Sequence, residues 1–167
     1  MEHSSATVLG VAIPSTDPFF LAVVGVHVLF GLGCIISGLV AMLANKGRGR
    51  HSTFGTIYFW CMSGVFLTMA ILAAIRWLED AVLFGLGALA FALALGGRLA
   101  ARRWSLRVHA SCMGGSYIVL VTAFYVDNGK SLAVWRDLPS VAYWTIPALI
   151  GIPLILRVLT KHPLLRG

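Results

Sequence analysis

Acidic residues, and charged residues in general, are scarce in this sequence. Six of the 167 residues are Asp or Glu, 11% are charged and 59% are apolar. In a soluble domain about a quarter of the residues are charged. This composition therefore excludes a soluble domain and indicates a chain that lies in a lipid bilayer. Cysteines are also few. Cys34, Cys61 and Cys112 all lie in apolar runs, which argues against a disulfide framework.

The long apolar segments contain no Asp, Glu, Lys or Arg. Proton and ion carriers usually hold such a residue within a membrane helix, and a hydrolase would be expected to show a carboxylate near its histidines. Both classes of protein are therefore disfavoured. The sequence favours a membrane subunit or a carrier over a stand-alone enzyme.

Five segments are long and apolar enough to cross a hydrocarbon layer about 30 Å thick. They predict an all-α bundle of five transmembrane helices, at residues 19–44, 52–75, 81–97, 108–126 and 138–156. These spans form one membrane domain over residues 19–160, with an external tail at 1–18 and a cytoplasmic tail at 161–167. Because the first residues lack a basic stretch, no cleavable signal peptide is expected.

The basic residues are concentrated on one side of the predicted membrane. Ten of them lie in the first connection, the third connection and the C-terminal segment, whereas all six acidic residues lie on the other side. Connections rich in Lys and Arg face the cytoplasm, which predicts an external N-terminus and a cytoplasmic C-terminus. This topology, with anionic lipid headgroups, accounts for the net charge of +7. Nucleic acid is not an expected partner.

The second span opens on a histidine that directly follows a basic turn, in the segment KGRGRHSTFGTIY at residues 46–58. His51 comes after Arg50, and Gly55 and Tyr58 stand four and seven positions further on. In a helix these residues lie on one face. The segment therefore predicts a histidine at the membrane edge with a glycine and a tyrosine aligned below it.

The fourth span repeats this plan in the segment RRWSLRVHASCMGGSY. His109 follows Arg107 by two residues, and Met113, Ser116 and Tyr117 come next at helical spacing. Two histidines are thus predicted to lie at nearly the same depth, at the edge of the apolar layer, on different helices. We expect them to share one ligand between those helices.

A third histidine, His27, lies well inside the first span. It is separated from Lys46 by 19 residues, about 28 Å of helix, so it is predicted to need its own partner. Thr68, Met69 and Tyr117 are expected at its depth. There are two interpretations of His27. It forms a hydrogen bond to Thr68 or Tyr117, or it forms a second axial ligation with Met69.

Paired imidazoles between membrane helices, glycines beside them and arginines at their edge are features that suit haem b. His51 and His109 would be axial ligands, and the propionates would pair with arginines at the membrane surface, at Arg48, Arg50, Arg103 or Arg107. The alternatives are a zinc or copper site formed by His51, His109 and perhaps Cys112, and a cofactor-free accessory or assembly subunit whose histidines only pack and hydrogen-bond. The distance of every acidic residue from the histidines disfavours the bare metal site.

Three segments, HVLFGLGCIISGLVAML, RHSTFGTIY and VHASCMGGSYIVLVTAF, resemble the bacterial membrane family catalogued as "domain of unknown function 2306". The resemblance covers about residues 20–126 and implies a multi-pass protein of the bacterial inner membrane. It singles out eight positions: His27, His51, Gly55, Tyr58, His109, Met113, Ser116 and Tyr117. Many relatives have an arginine where this chain has Gly115, so an anion contact through that arginine is not expected here. Membrane b-type cytochromes are a weaker, architectural analogy.

The sequence therefore predicts an inner-membrane electron carrier that binds haem b. Its expected partners are the lipid bilayer, a quinol, and other membrane subunits or further copies of the chain.

Overall fold

The structure is a computed structural model that describes residues 6–8, 11–13, 17–45, 49–102 and 105–161. The described residues form five long helices: α1 Pro18–Leu43, α2 Arg50–Ile75, α3 Trp77–Arg102, α4 Leu106–Asn128 and α5 Ser140–Lys161. Two short antiparallel strands, β1 Ala6–Val8 and β2 Val11–Ile13, precede them within the predicted external tail. Apart from this hairpin, the secondary structure of the described residues is all helical.

All five helices are long and apolar enough to cross a membrane, which confirms the predicted class of fold. The helices extend past several of the predicted apolar spans. The third begins at Trp77 rather than at residue 81, and it includes Glu79 and Asp80 in its first turn. Negative charge there interacts favourably with the helix dipole, so a helix can begin outside its apolar segment.

The first helix begins where its sequence contains an N-terminal capping signal. The Asp17 carboxylate accepts hydrogen bonds from the backbone N–H groups of Phe19 and Phe20, at 2.7 and 3.1 Å, and Pro18 occupies the first turn, where its missing N–H costs nothing. This cap fixes the depth at which the apolar residues of α1 begin.

Neighbouring helices run antiparallel, as their contacts show. On α1 and α2, His27 meets Thr68 while Ala41 meets His51. On α2 and α3, the rings of Phe59 and Phe66 both contact Phe91, and Phe66 also stacks on Phe84. The helices therefore alternate in direction, and the ends of α1, α3 and α5 lie on the same side as the starts of α2 and α4.

The first four helices surround a common core. Its fully buried residues come from all four helices, at Cys34, Tyr58, Met62, Val65, Ala90, Ala94 and Leu120. A second apolar cluster fills the space between α1 and α2 nearer the start of α1, at Phe20, Val23, Met69, Leu72 and Ala73. The predicted site residues on α2 and α4 are thus held by a packed four-helix body.

The fifth helix packs beside this body, mainly against α4. The contact is close because glycines on each helix face isoleucines on the other: Gly114 faces Ile155, and Gly151 faces Ile118. At the far end, the Tyr143 hydroxyl donates to the Trp135 carbonyl at 2.9 Å, which ties the connection before α5 to that helix. None of these α5 residues is a predicted site residue.

Candidate functional site

Two histidines from different helices meet at one end of the bundle. His51 lies in the first turn of α2 and His109 in the first turn of α4. Their ring centroids are 6.2 Å apart, and their planes are nearly perpendicular, at 85°. The structure therefore brings together the two residues that the sequence singled out as a pair.

The His51 ring is oriented by the backbone of the preceding helix. Its Nδ1 lies 2.8 Å from the carbonyl oxygen of Ala41, in the last turn of α1. Because a carbonyl oxygen only accepts hydrogen bonds, Nδ1 carries the ring proton and donates it. In the neutral imidazole this places the lone pair on Nε2.

The His109 ring is held in the same way by the other helical hairpin. Its Nδ1 donates to the carbonyl oxygen of Gly97, near the end of α3, at 2.8 Å. The α1–α2 and α3–α4 hairpins therefore each present one histidine with the same tautomer. Metal-bound histidines commonly donate their second ring N–H to a backbone carbonyl in this manner.

Centroids 6.2 Å apart with nearly perpendicular planes describe two rings in edge-to-face contact. The two imidazoles are therefore close enough for one ligand to reach both.

Open space lies beside His51 on its own helix. Gly55 is one turn further along α2 on the same face, and a Cβ added there would meet no atom within 4 Å. Met113, one turn after His109, instead packs its side chain against Gly97 of α3. The sequence predicted both residues for the site, and the structure leaves open space beside the glycine but not beside the methionine.

Arginines lie close in sequence to both histidines. Arg50 and Arg107 are exposed in the first turns of α2 and α4, while Arg48 and Arg103 lie outside the described residues. A further arginine that the sequence analysis did not select, Arg98, extends over the ring of Phe59 with its Cζ 4.6 Å from the centroid. Arg98 directly follows Gly97, whose carbonyl accepts the hydrogen bond from His109. Only the folded chain reveals that His109 is bonded next to this arginine.

The acidic residues that the structure describes lie at the opposite end of the helices. Asp17 precedes α1, Glu79 and Asp80 open α3, and Asp127 lies in the last turn of α4. We call the two ends the acidic end and the basic end, the latter being where α2 and α4 begin. Among the described residues, no group of three or more His, Cys, Asp or Glu side chains could hold a metal ion. Cys112 contacts Gly97 of α3 and forms no such group with the histidine pair.

Tyr58 and Ser116 are hydrogen-bonded to each other in the core, about two helical turns from the histidines. The Tyr58 hydroxyl lies 2.8 Å from the Ser116 Oγ, and Ser116 donates to the Ala90 carbonyl, also at 2.8 Å. Tyr117 donates to the carbonyl oxygen of Ile35 on α1, at 3.2 Å. These residues, which the sequence grouped with the site, join the four helices to one another.

His27 forms a separate polar contact between α1 and α2. Its Nδ1 lies 2.9 Å from the Thr68 Oγ1. Of the two expected hydrogen-bond partners, Thr68 and Tyr117, the structure therefore shows Thr68. Tyr117 bonds elsewhere, and Met69 is buried in the second apolar cluster. Ala41, which marks the level of His51, is 14 residues further along α1, about 21 Å away. His27 and the histidine pair are therefore two distinct places in the fold.

No family model, curated protein or solved structure matches the chain. The resemblance to the "domain of unknown function 2306" family accordingly stays a prediction. What the structure supports is an all-α bundle of five apolar helices, consistent with a multi-pass membrane protein.

Proposed function

We propose that this chain is an electron carrier that binds haem b between α2 and α4, where His51 and His109 would hold the haem. It would pass electrons between a membrane quinol and a partner redox subunit. The observation that carries the proposal is the pair of imidazoles 6.2 Å apart, each with its Nδ1 proton donated to a backbone carbonyl.

The two carbonyls prepare both rings for ligation. By holding the proton on Nδ1, Ala41 and Gly97 direct the lone pair to Nε2, and the hydrogen bond makes that nitrogen a stronger donor to a metal. Because the acceptors are backbone atoms of packed helices, the rings have little freedom to turn. When bound, haem supplies one-electron oxidation and reduction.

The arginines at the basic end supply the charge that haem propionates require. Arg50 and Arg107 flank the histidines, and Arg98 lies next to the acceptor for His109. Arginine binds carboxylates through paired N–H groups, and the part of the chain that the structure describes has no acidic side chain at this end to compete. The excess of basic residues supports the proposal that this end faces the cytoplasm, in the bacterial inner membrane.

A cofactor-free accessory subunit is the second candidate. The observation that favours it is that both Nδ1 atoms already bond to a neighbouring helix. A histidine can close a helical hairpin in this way without any ligand. The third candidate is a site for a single zinc or copper ion between the rings. Among the described residues, no further His, Cys, Asp or Glu joins the pair to form a group of three.

The test is the dithionite-reduced minus oxidised absorption spectrum of the detergent-purified protein, with total metal measured on the same samples. We expect a b-type spectrum that is lost in His51→Ala and in His109→Ala, because each variant removes one of the two residues that would hold the haem. His162→Ala, which changes a histidine in the C-terminal segment, is the matched control and should keep the spectrum.

The other outcomes separate the candidates. A folded, colourless and metal-free protein would contradict the haem proposal and favour the accessory subunit. Stoichiometric zinc or copper without a haem spectrum, lost in the same two variants, would favour the bare metal site.

A further inference from the structure

The two helical hairpins of the four-helix body hold their histidines at equivalent positions. His109 is 58 positions after His51, and Gly97, which accepts the hydrogen bond from His109, is 56 positions after Ala41, which accepts the one from His51. One offset, of 56 positions, thus relates α1 to α3, and another, of 58 positions, relates α2 to α4. We call residues related by these offsets equivalent.

The same offsets hold two turns further into the core. On the α1–α2 hairpin, the Cys34 thiol is 3.9 Å from the Tyr58 carbonyl oxygen. Their equivalents on the α3–α4 hairpin are Ala90 and Ser116, and the Ser116 hydroxyl donates to the Ala90 carbonyl at 2.8 Å. Tyr58 and Ser116 also bond to each other, just as the two histidines contact each other nearer the basic end. Each hairpin therefore repeats the internal contacts of the other, and equivalent residues meet between them.

The remaining contacts between the hairpins follow the offsets as well. The centroids of the Phe59 ring of α2 and the Phe91 ring of α3 are 6.2 Å apart. The equivalent residues are Tyr117 of α4 and Ile35 of α1, and the Tyr117 hydroxyl donates to the Ile35 carbonyl at 3.2 Å. Because α1 and α3 run in the same direction, the hairpins are parallel repeats related by an approximate twofold axis along the helices.

A charge difference between α1 and α3 breaks this symmetry beside the histidine pair. The axis passes between His51 and His109, since equivalent residues that contact each other must flank it. On α2 and α4 the first turns each contain one arginine. On α3, however, Arg98 follows Gly97, and its equivalent on α1 is Met42. The repeat therefore has a cation on one side of the axis and an apolar side chain at the equivalent position.

The Arg98 side chain extends from the basic end into the bundle. Its Cζ is 4.6 Å from the centroid of the Phe59 ring, and Phe59 is eight residues after His51, about 12 Å along α2. In the part of the chain that the structure describes, the acidic residues lie at the other end of the helices, and no carboxylate pairs with this guanidinium. An arginine directed into the apolar layer is costly without an anion. Its paired N–H groups match a carboxylate.

We propose that Arg98 and the histidine pair form one binding site with a fixed direction across the twofold axis. The histidines hold the ligand between the hairpins, Arg98 binds the ligand's carboxylates on the α3 side, and the apolar edge of the ligand lies toward Met42 on α1. A flat macrocycle with its carboxylates on one edge has this chemistry, and haem b is such a molecule. This inference rests on the proposed function and names the residue that orients the bound haem.

The test titrates haemin into the haem-free, detergent-purified full chain and follows the absorption spectrum. A parallel titration uses haemin dimethyl ester, in which both propionates are esterified and uncharged. We expect Arg98→Met to bind haemin about tenfold more weakly, which is the loss of one charge-assisted contact. The same variant should bind the ester as tightly as the unmodified chain does, and this titration also shows that the site is intact.

Two further variants test the position and the direction. Arg102→Met makes the same change one turn later on α3, at an exposed position, and should bind haemin as the unmodified chain does. The double variant Arg98→Met/Met42→Arg moves the arginine to the equivalent position on α1. Because the twofold axis exchanges these two positions, the double variant should regain most of the lost affinity for haemin.

Each outcome decides the inference. Equal weakening of haemin and ester binding in Arg98→Met would overturn it, because Arg98 would then only support the fold. Equal weakening in Arg102→Met would overturn it in favour of unspecific charge, and no recovery in the double variant would overturn the equivalence of the two positions. Haemin binding that is independent of Arg98 would contradict this inference alone, whereas a chain that binds neither compound would contradict the proposed function and the inference with it.

Discussion

A tyrosine and a serine meet at the centre of a core that is otherwise almost wholly apolar. Tyr58 is 2% exposed and Ser116 is 0% exposed. Their hydroxyls form a directed chain: Ser116 donates to the Ala90 carbonyl, so its oxygen accepts from Tyr58. Since an unsatisfied polar group in hydrocarbon costs several kcal/mol, this chain fixes how α2, α3 and α4 fit together.

The direction of the chain predicts unequal effects for its two members. Tyr58→Phe removes a donor but leaves Ser116 bonded to Ala90, and we expect a loss of about 0.6–1 kcal/mol in the free energy of unfolding. Ser116→Ala leaves the buried Tyr58 hydroxyl without its acceptor and should cost about 1–3 kcal/mol. Titration with sodium dodecyl sulfate in mixed micelles measures both values.

Ser63→Ala is the control for this comparison. The Ser63 hydroxyl bonds only within its own helix, to the Phe59 carbonyl at 2.9 Å, so its removal should have little effect. If Tyr58→Phe cost as much as Ser116→Ala, the direction of the hydrogen bonds would be wrong.

At the scale of the helices, Gly38 is one of the glycines that allow α1 to approach its neighbours closely. A Cβ at Gly38 would lie 2.6 Å from the Tyr117 ring and 3.1 Å from the Tyr58 ring. The two rings are themselves in contact, with centroids 6.2 Å apart. Neither can move away without disturbing its own hydrogen bond, which joins Tyr58 to Ser116 and Tyr117 to the Ile35 carbonyl. Small residues at such crossings are what allow membrane helices to pack closely.

We therefore expect Gly38→Ala to lower the free energy of unfolding by about 1–3 kcal/mol through overpacking, despite the better helix propensity of alanine. Gly25→Ala is the matched control, because its Cβ meets nothing within 4 Å. That variant should be as stable as the unmodified protein or slightly more so. The same micellar titration measures both, and equal stabilities would show that α1 does not approach the tyrosines closely.

Positive and negative charges lie at opposite ends of the bundle. Because adjacent helices alternate in direction, Arg50, Arg98, Arg102 and Arg107 gather at the basic end, while the described acidic residues lie toward the other. One arginine at the acidic end, Arg76, forms an ion pair with Glu79. Sequence position and antiparallel packing together make the bundle electrically asymmetric.

This asymmetry predicts the orientation in the membrane. The basic end should face the cytoplasm, so green fluorescent protein fused to the C-terminus should fluoresce and alkaline phosphatase fused there should be inactive. A fusion after Asp137, in the connection between α4 and α5, is the control and should show the reverse. Active phosphatase at the C-terminus would contradict the predicted orientation and remove the cytoplasmic assignment of the histidine pair.

The sequence by itself determined the five helices and the pairing of His51 with His109. Long uncharged segments have one stable form in lipid, and helical spacing is a local property. The acceptors of the two rings came only from the folded chain, because every residue carries the same carbonyl and no side chain marks Ala41 or Gly97. The placement of Arg98 over Phe59 and of Met113 against Gly97 was likewise decided by tertiary structure. Each depends on how two helices rotate against one another, and the residue pattern of a single helix does not set that rotation.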